Sequence, residues 1–360
     1  MKLTVAVPGV TGRLGGPLAE LLLEHGHQIR ALVRDQASPD VRRLQERGAT
    51  TVRGDFDDRF SLEEWAKGAD VVFIMSTPHH GVGPQAETRH AIAQADAARA
   101  AGVGYVVYSS SAGADRPTRV PFMESKRHVE EHLRSLGLLH AFVAPVYCMD
   151  NVRFPWNLEP LRAGRVVRGL PPSLALQQVA IMDVAAFCAL AIERQDAFAG
   201  TRWEIASDVI TGEEEARALS RVVGRPVAYV SVEPEQADAM TPFFRFVREE
   251  GFAADIERLR RDYPEVGWRA FETWAAGQDW DAMLWVHPGD RHGSGLSKRH
   301  RTDLLPPACS PRGGRRWNSV RALLIDLGVN APAALAGARR AGPPAIAPCC
   351  AVLQPTANRR

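Results

Sequence analysis

The hydrophobic pattern of the first 150 residues alternates between two periods. Short apolar runs rich in β-forming residues stand at Lys2 to Val7, His27 to Val33, Thr50 to Arg53, Ala69 to Met75, Tyr105 to Ser109 and Leu139 to Val143. Between them apolar positions recur at helical spacing: Pro17 to Leu23, with Leu18, Leu21 and Leu22 on one face, then Asp40 to Glu46, Ser61 to Trp65, the alanine-rich Gln85 to Ala101, and Phe122 to Ser135. Such alternation of strand and helix builds a parallel sheet with helices on both faces. Ala69 to Met75 is apolar almost throughout, as suits a strand covered on both sides in the middle of that sheet. The expected fold is α/β, a Rossmann-type doubly wound parallel sheet over residues 1–150, followed by a smaller mixed substrate-covering region over residues 151–286. Elements in the second region are shorter: Val166-Val167, a helix from Asp183 to Ile192 with Asp183 as its N-cap, Trp203 to Ile205, a helix from Gly212 to Val222, and Val227 to Val230. Helical segments then run over Pro234 to Glu250, Ala253 to Arg261 and Trp268 to Ala276.

The first strand and the first helix are joined by Gly9-Val10-Thr11-Gly12-Arg13-Leu14-Gly15. Glycines at this spacing permit a tight turn, close approach of the backbone to a pyrophosphate and close packing of helix on strand. The helix N-terminus adds N–H donors and the positive end of its dipole. Gly9, Thr11, Gly12, Arg13, Leu14 and Gly15 are therefore expected to hold a dinucleotide. The second strand ends in Arg34 rather than in an acidic residue, and a guanidinium there can pair bidentately with a 2′-phosphate, so NADP(H) is expected ahead of NAD(H). Asp55 and Phe56 follow the third strand, placed to accept from the adenine amino group and to cover its ring; Gly54-Asp55 is also ordinary turn chemistry. Ser76 and Thr77 follow the fourth strand at the carboxyl edge of the sheet, where ligands bind in open α/β folds. His79, beside His80, lies just beyond them and is a candidate proton donor, since an imidazole titrates near neutrality. His128-Val129-Glu130-Glu131-His132 matches an inverted zincin spacing. No third ligand accompanies it, and no metal is expected.

Composition bounds the rest. With 360 residues and 45% hydrophobic content the chain can bury a core without a disulfide framework. Cys148, Cys188, Cys309, Cys349 and Cys350 form no C-x-x-C pair, and nothing beside Cys148 in sequence lowers its pKa. The first strand starts at residue 2, leaving no room for a secretory leader, and no apolar run reaches the roughly 20 residues of a spanning helix. A cytoplasmic location and no membrane partner are expected. The net charge of +2 conceals an asymmetry: residues 287–360 hold 12 Lys or Arg against 3 Asp or Glu, and 9 of the 25 prolines. This basic Pro/Ala/Arg-rich tail is expected to be poorly ordered, with Ser319 to Leu327 its one helical stretch. Trp317 is the lone aromatic there, so base stacking has little to use and no nucleic-acid partner is expected.

Residues beyond the glycine loop complete a pattern. The loop itself, the Arg34 strand end, Gly54-Asp55, the Ser109-Ser110-Ser111 strand end, Lys126 and Ala144-Pro145-Val146-Tyr147-Cys148-Met149-Asp150-Asn151 together resemble the NmrA-like family of atypical short-chain dehydrogenases/reductases. The resemblance covers roughly residues 1–281 and leaves the tail outside. It implies that Ser109 and Lys126 belong to the cofactor site, with Lys126 holding the nicotinamide ribose. In typical short-chain dehydrogenases a tyrosine four residues before this lysine is the acid; here that position is Phe122, which has no proton to give. Some members of the family are redox-sensing regulators and others are quinone or related reductases.

The resemblance therefore implies an NADP(H)-dependent oxidoreductase that transfers hydride to a small molecule, a quinone-like or other activated acceptor whose reduction demands little of an acid. Lys126, His79 and Tyr147 are its candidate catalytic residues, with Asn151 beside Tyr147 and with Phe154 and Trp156 as apolar walls. The alternative is a non-catalytic NADP(H) sensor acting through a regulatory protein partner.

Overall fold

The computed structural model describes residues 2–77, 83–233 and 240–285. The alternation read from the sequence is present as β1 (Thr4–Pro8), α1 (Gly15–Glu24), β2 (Gln28–Val33), α2 (Pro39–Glu46), β3 (Thr50–Arg53), α3 (Arg59–Ala66), β4 (Val71–Ile74), α4 (Gly83–Ala100), β5 (Tyr105–Ser109), α5 (Pro121–Ser135) and β6 (Leu139–Pro145). There follow β7 (Tyr147–Cys148), α6 (Pro155–Arg162), β8 (Arg165–Arg168), β9 (Ala175–Val179), α7 (Ile181–Glu193), α8 (Gln195–Phe198) and β10 (Arg202–Ile205). The described chain continues through β11 (Asp208–Thr211), α9 (Gly212–Val223), β12 (Ala228–Ser231), α10 (Thr241–Glu249), α11 (Ile256–Asp262), α12 (Phe271–Ala276) and α13 (Trp280–Trp285).

Seven strands form one sheet in the order β10-β6-β5-β4-β1-β2-β3, and every pair in it is parallel. The order reverses between β1 and β4, which opens a crevice beyond the carboxyl ends of those strands. Successive residues explain why these strands are apolar throughout. Val5, Val7 and Phe73 face α1 and α7, packing with Leu18, Leu22, Val184 and Phe187. Ala6, Val72 and Ile74 face the other way onto Leu62, Trp65, Ala91, Ala95 and Val129 of α3, α4 and α5. A parallel strand covered on both sides has no polar face to show.

After residue 150 the chain returns to this sheet. Trp203 to Ile205, expected as a short element of the second region, pairs with β6 as the seventh strand. It is anchored by Arg202, whose Nε donates to the fully buried Glu130 at 3.1 Å and whose Nη2 donates to the Ser111 carbonyl at 2.7 Å. The expected N-cap at Asp183 is corrected. α7 begins at Ile181 with Ala180 as its N-cap, and the Ile181 N–H donates at 3.0 Å to Asp150, a buried carboxylate brought in from the end of β7. Asp183 lies inside the first turn, also buried, and accepts from the Arg269 N–H at 2.8 Å and from the Arg269 guanidinium.

A second sheet, β11-β9-β7, was not visible in the pattern, because Ala175-Leu-Gln-Gln-Val179 sets two adjacent amide side chains within a short segment and so breaks both a continuous apolar run and a strict alternation. β8 and β12 pair separately in parallel. α9 opens with a capping box between Thr211 and Glu214 and closes at Gly224, whose φ of 71° suits glycine. Of the helix expected from Pro234, the described part starts at Thr241; residues 234–239 and the tail helix at Ser319 to Leu327 lie outside the described residues. No described helix is long and apolar enough to cross a membrane.

Phe187 of α7 joins β10 to the elements after it. Its buried ring sits 5.5 Å from Phe198, 5.1 Å from Tyr263, 6.1 Å from Trp203 and 5.7 Å from Trp268. Phe187→Ala is expected to cost about 3–5 kcal/mol in urea unfolding, since four rings around one cavity cannot all collapse into it.

Candidate functional site

The glycine loop crosses the switch point of the sheet. Gly9 has φ +62°, which a side chain would strain, and its N–H-accepting carbonyl closes the turn with Gly12 at 2.8 Å. A Cβ on Gly15 would lie 2.5 Å from both the Pro8 and the Gly9 carbonyl oxygens, and one on Gly12 would lie 3.0 Å from Gly9 O. The loop therefore brings the first turn of α1 against the end of β1. Leu14, the buried N-cap residue, offers no side-chain acceptor to that turn. Thr11, Gly12 and Arg13 are exposed along the loop, leaving backbone donors and the positive helix end for an anion.

Arg13 does not extend freely. Its guanidinium lies 4.0 Å over the Phe154 ring, which stacks at 4.4 Å and 10° on Trp156. Burial and the neighbouring Arg153 lower its pKa. Phe154 and Trp156, expected as apolar walls, thus form a stack that meets the loop through Arg13.

At the ends of β2 and β3, Arg34 is exposed without an ion-pair partner among the described residues. Asp55 Oδ1 accepts from the N–H groups of Asp57 and Asp58 at 2.9 and 3.1 Å, so part of that carboxylate is spent on the turn. Phe56 is half-buried, 5.5 Å from the ring of His90.

The opposite end of the crevice is built on Lys126. Its Nζ donates to the Ser76 carbonyl at 2.9 Å and pairs with Glu87 Oε1 at 2.9 Å. Ser76 follows β4 by two residues, and its neighbour Met75 places Sδ 3.2 Å from where a Gly9 Cβ would stand. The lysine is thus tied to the segment that supports the glycine loop. Thr77 continues that edge, and Ser109 is buried at the end of β5, in register with Val143. Tyr108 lies beneath, its ring 5.5 Å from Nζ; burial, with Glu87 and Glu130 nearby, raises its phenol pKa well above the ordinary value.

Glu87 is a member of this buried cluster that the sequence reading missed. Its signal was its place on the face of α4 with Ala86, His90, Ala91 and Gln94, all buried, where a carboxylate requires a cation.

Phe122, one turn before Lys126, turns to an aromatic wall. Its ring is 5.8 Å from Phe243 of α10, and Tyr147 stacks on the same Phe243 at 5.9 Å and 28°. Phe244, Phe246 and Met123 complete the cluster. Tyr147 is buried, which raises its phenol pKa, and it makes no hydrogen bond to Lys126. The structure thus joins Tyr147 to Phe122 and Lys126 to Ser76, in adjacent groups. His79 and His80 lie outside the described residues. His132 pairs with Asp96 at 2.7 Å and His128 stands beside Arg127, so the two histidines are engaged separately.

Two expectations follow. Gly15→Ala should lower the melting temperature, at a cost of about 1–3 kcal/mol for forcing a methyl group onto two carbonyls, and should weaken dinucleotide binding measured by fluorescence titration. Burial pushes the Cys148 thiol up to about 12. At pH 8 only about one molecule in 10⁴ carries the thiolate, so iodoacetamide should label Cys148 only on unfolding, as read by peptide mass spectrometry.

The model of the NmrA-like family matches residues 1–254. An NAD(P)H azoreductase of Xenophilus azovorans is 32% identical over 245 residues, spanning 66% of this chain and 80% of that protein. A (4-alkanoyl-5-oxo-2,5-dihydrofuran-3-yl)methyl phosphate reductase of Streptomyces griseus is 30% identical over 227 residues, spanning 62% of this chain and 76% of its own length. Among solved structures, the negative transcriptional regulator NmrA superposes with a TM-score of 0.65 at 22% identity, covering 78% of this chain and 99% of its own. The NADPH-dependent quinone oxidoreductase of Escherichia coli, complexed with NADPH, superposes with a TM-score of 0.64 at 21% identity, covering 76% and 98%. With a glycine loop at the switch point, Lys126 at the crevice and this extent of matching sequence, the chain belongs to the NmrA-like family.

Proposed function

We propose that this protein is an NADP(H)-dependent reductase acting on flat, electron-poor small molecules of the quinone or azo class. The observation that carries the reading is the aromatic wall in which Phe122 stands with Tyr147 and Phe243 beside the Lys126 site. A ketone reductase needs a hydroxyl acid at the position of Phe122. An acceptor that delocalises the incoming charge can take its proton from water, and apolar rings suit a planar substrate better than a polar acid would.

Bound NADPH would supply the hydride. The residues of the chain would do the rest. Leu14 and Gly15 present backbone N–H groups and the α1 N-terminus to the pyrophosphate, with Gly9 and Gly12 setting the turn and Thr11 and Arg13 flanking it. Arg34 pairs with the 2′-phosphate, and Asp55 and Phe56 border the adenine. Ser76, Thr77 and Ser109 line the sheet edge, and Lys126 gives its remaining N–H to a ribose hydroxyl. Tyr147, kept protonated by burial, can donate a hydrogen bond to the acceptor. The region from 151 to 286 would cover the substrate end of the crevice. NAD(H) remains a weaker cofactor in this scheme. His79 is a second proton source in the proposal.

A regulatory reading draws on the same wall: if no proton donor reaches the crevice, the protein reads NADP(H) without turning it over and reports to a protein partner. NADPH oxidation followed by absorbance against quinones and azo compounds decides between them. Turnover is expected, and tight NADPH binding with no turnover on any acceptor would transfer the case to the regulator. Arg34→Ala should raise the KM for NADPH about tenfold while leaving that for NADH near its original value, the loss of one charge-assisted phosphate contact.

A further inference from the structure

We propose that Glu87 is the positioning residue for Lys126, and that the pair presents one oriented, charge-compensated N–H donor suited to a neutral hydroxyl of the cofactor. The inference rests on the reading of Lys126 as a cofactor-binding residue.

An ammonium has three donors. Lys126 Nζ donates to the Ser76 carbonyl at 2.9 Å and to Ser76 Oγ at 3.5 Å, and it stands 2.9 Å from Glu87 Oε1 as an ion pair. Glu87 is 1% exposed, and a carboxylate buried this deeply requires a cation close by. Its other oxygen, Oε2, accepts from the Ser125 hydroxyl at 2.6 Å. One side chain of α4 therefore holds two consecutive residues of α5, and the long lysine side chain is ordered before any ligand arrives. Ordering in advance removes a cost that binding would otherwise carry.

The charges around the pair are accounted for element by element. Glu130, one turn further along α5, is engaged by Arg202, Arg134 and Ser110. His90, one turn along α4 from Glu87, faces Asp57 at 3.2 Å. Tyr108 of β5 lies below with its phenol protonated. Glu87 is left as the counter-ion of Lys126. With the pair formed, the nicotinamide end carries little net positive charge, in contrast to Arg34 and the loop at the phosphate end. That division favours a ribose hydroxyl over a carboxylate or phosphate as the acceptor of the last N–H.

The test uses the full-length protein and three variants, Glu87→Gln, Lys126→Met and the double variant, with NADPH affinity measured by fluorescence titration from pH 7 to 9 alongside melting temperature. Wild-type affinity should change little across this range. Glu87→Gln leaves the buried ammonium without its counter-ion, so affinity should fall about tenfold at pH 7 and further as the pH rises. The double variant, with neither charge, should melt closer to wild type than either single variant yet bind NADPH no better than Lys126→Met. Should Glu87→Gln not fold, Ser125→Ala removes the hydroxyl that Glu87 Oε2 shares with the Phe122 carbonyl, leaves the carboxylate in place, and should weaken NADPH binding about threefold.

Wild-type affinity and a flat pH profile in Glu87→Gln, even with a lowered melting temperature, would overturn the proposal and leave Glu87 a structural residue. Wild-type affinity in Lys126→Met is a different failure: it removes the cofactor role of the lysine, on which the proposal rests.

Discussion

In the candidate site α1 comes so near the end of β1 that a single methyl on Gly15 would meet two carbonyl oxygens at 2.5 Å. Because no Cβ stands there, the helix begins directly above the strand and its first turn faces the crevice at the switch point. Gly9 closes the turn on the other side with Met75 packed over it, and Ser76, the next residue, receives Lys126. The phosphate end and the nicotinamide end of the candidate site are thus linked through three adjacent backbone segments.

This arrangement explains which parts were legible in sequence. Strands of the first half are buried on both faces, so their residues are apolar without interruption, and the helices between them carry a regular stripe. The glycine spacing at a strand-to-helix junction could be read because each glycine answers a local requirement. The second half is held by partners far apart in sequence. β9 reads Ala-Leu-Gln-Gln-Val, and its amide residues conceal a strand. β10 reaches the main sheet through Arg202, whose buried partner Glu130 lies on α5. Asp183 looked like a cap because it precedes an apolar run; the N–H at that helix start is met by Asp150 instead. Glu87 and Lys126 illustrate the same limit within the site: the lysine falls in a recognisable motif, whereas its counter-ion is one carboxylate among many until α4 and α5 are packed together.

The aromatic wall bears on the chemistry proposed for the site. Phe243 from α10 touches both Phe122 and Tyr147, so a side chain from late in the chain sets the surroundings of two residues near the crevice. Burial raises the pKa of Tyr147, which keeps its proton in place at neutral pH; such a phenol is a good hydrogen-bond donor and a reluctant acid. Lys126 could lower that pKa only from close range, and its charge is already balanced by Glu87. Both circumstances work against full proton transfer from Tyr147 to an alkoxide. An acceptor whose reduced form is a stabilised anion places no such demand, because a hydrogen bond and later protonation by water suffice. The substitution at Phe122 and the neutral Lys126–Glu87 pair therefore point in one direction: a site that orients cofactor and acceptor and relies on the electron affinity of the acceptor in place of a strong acid.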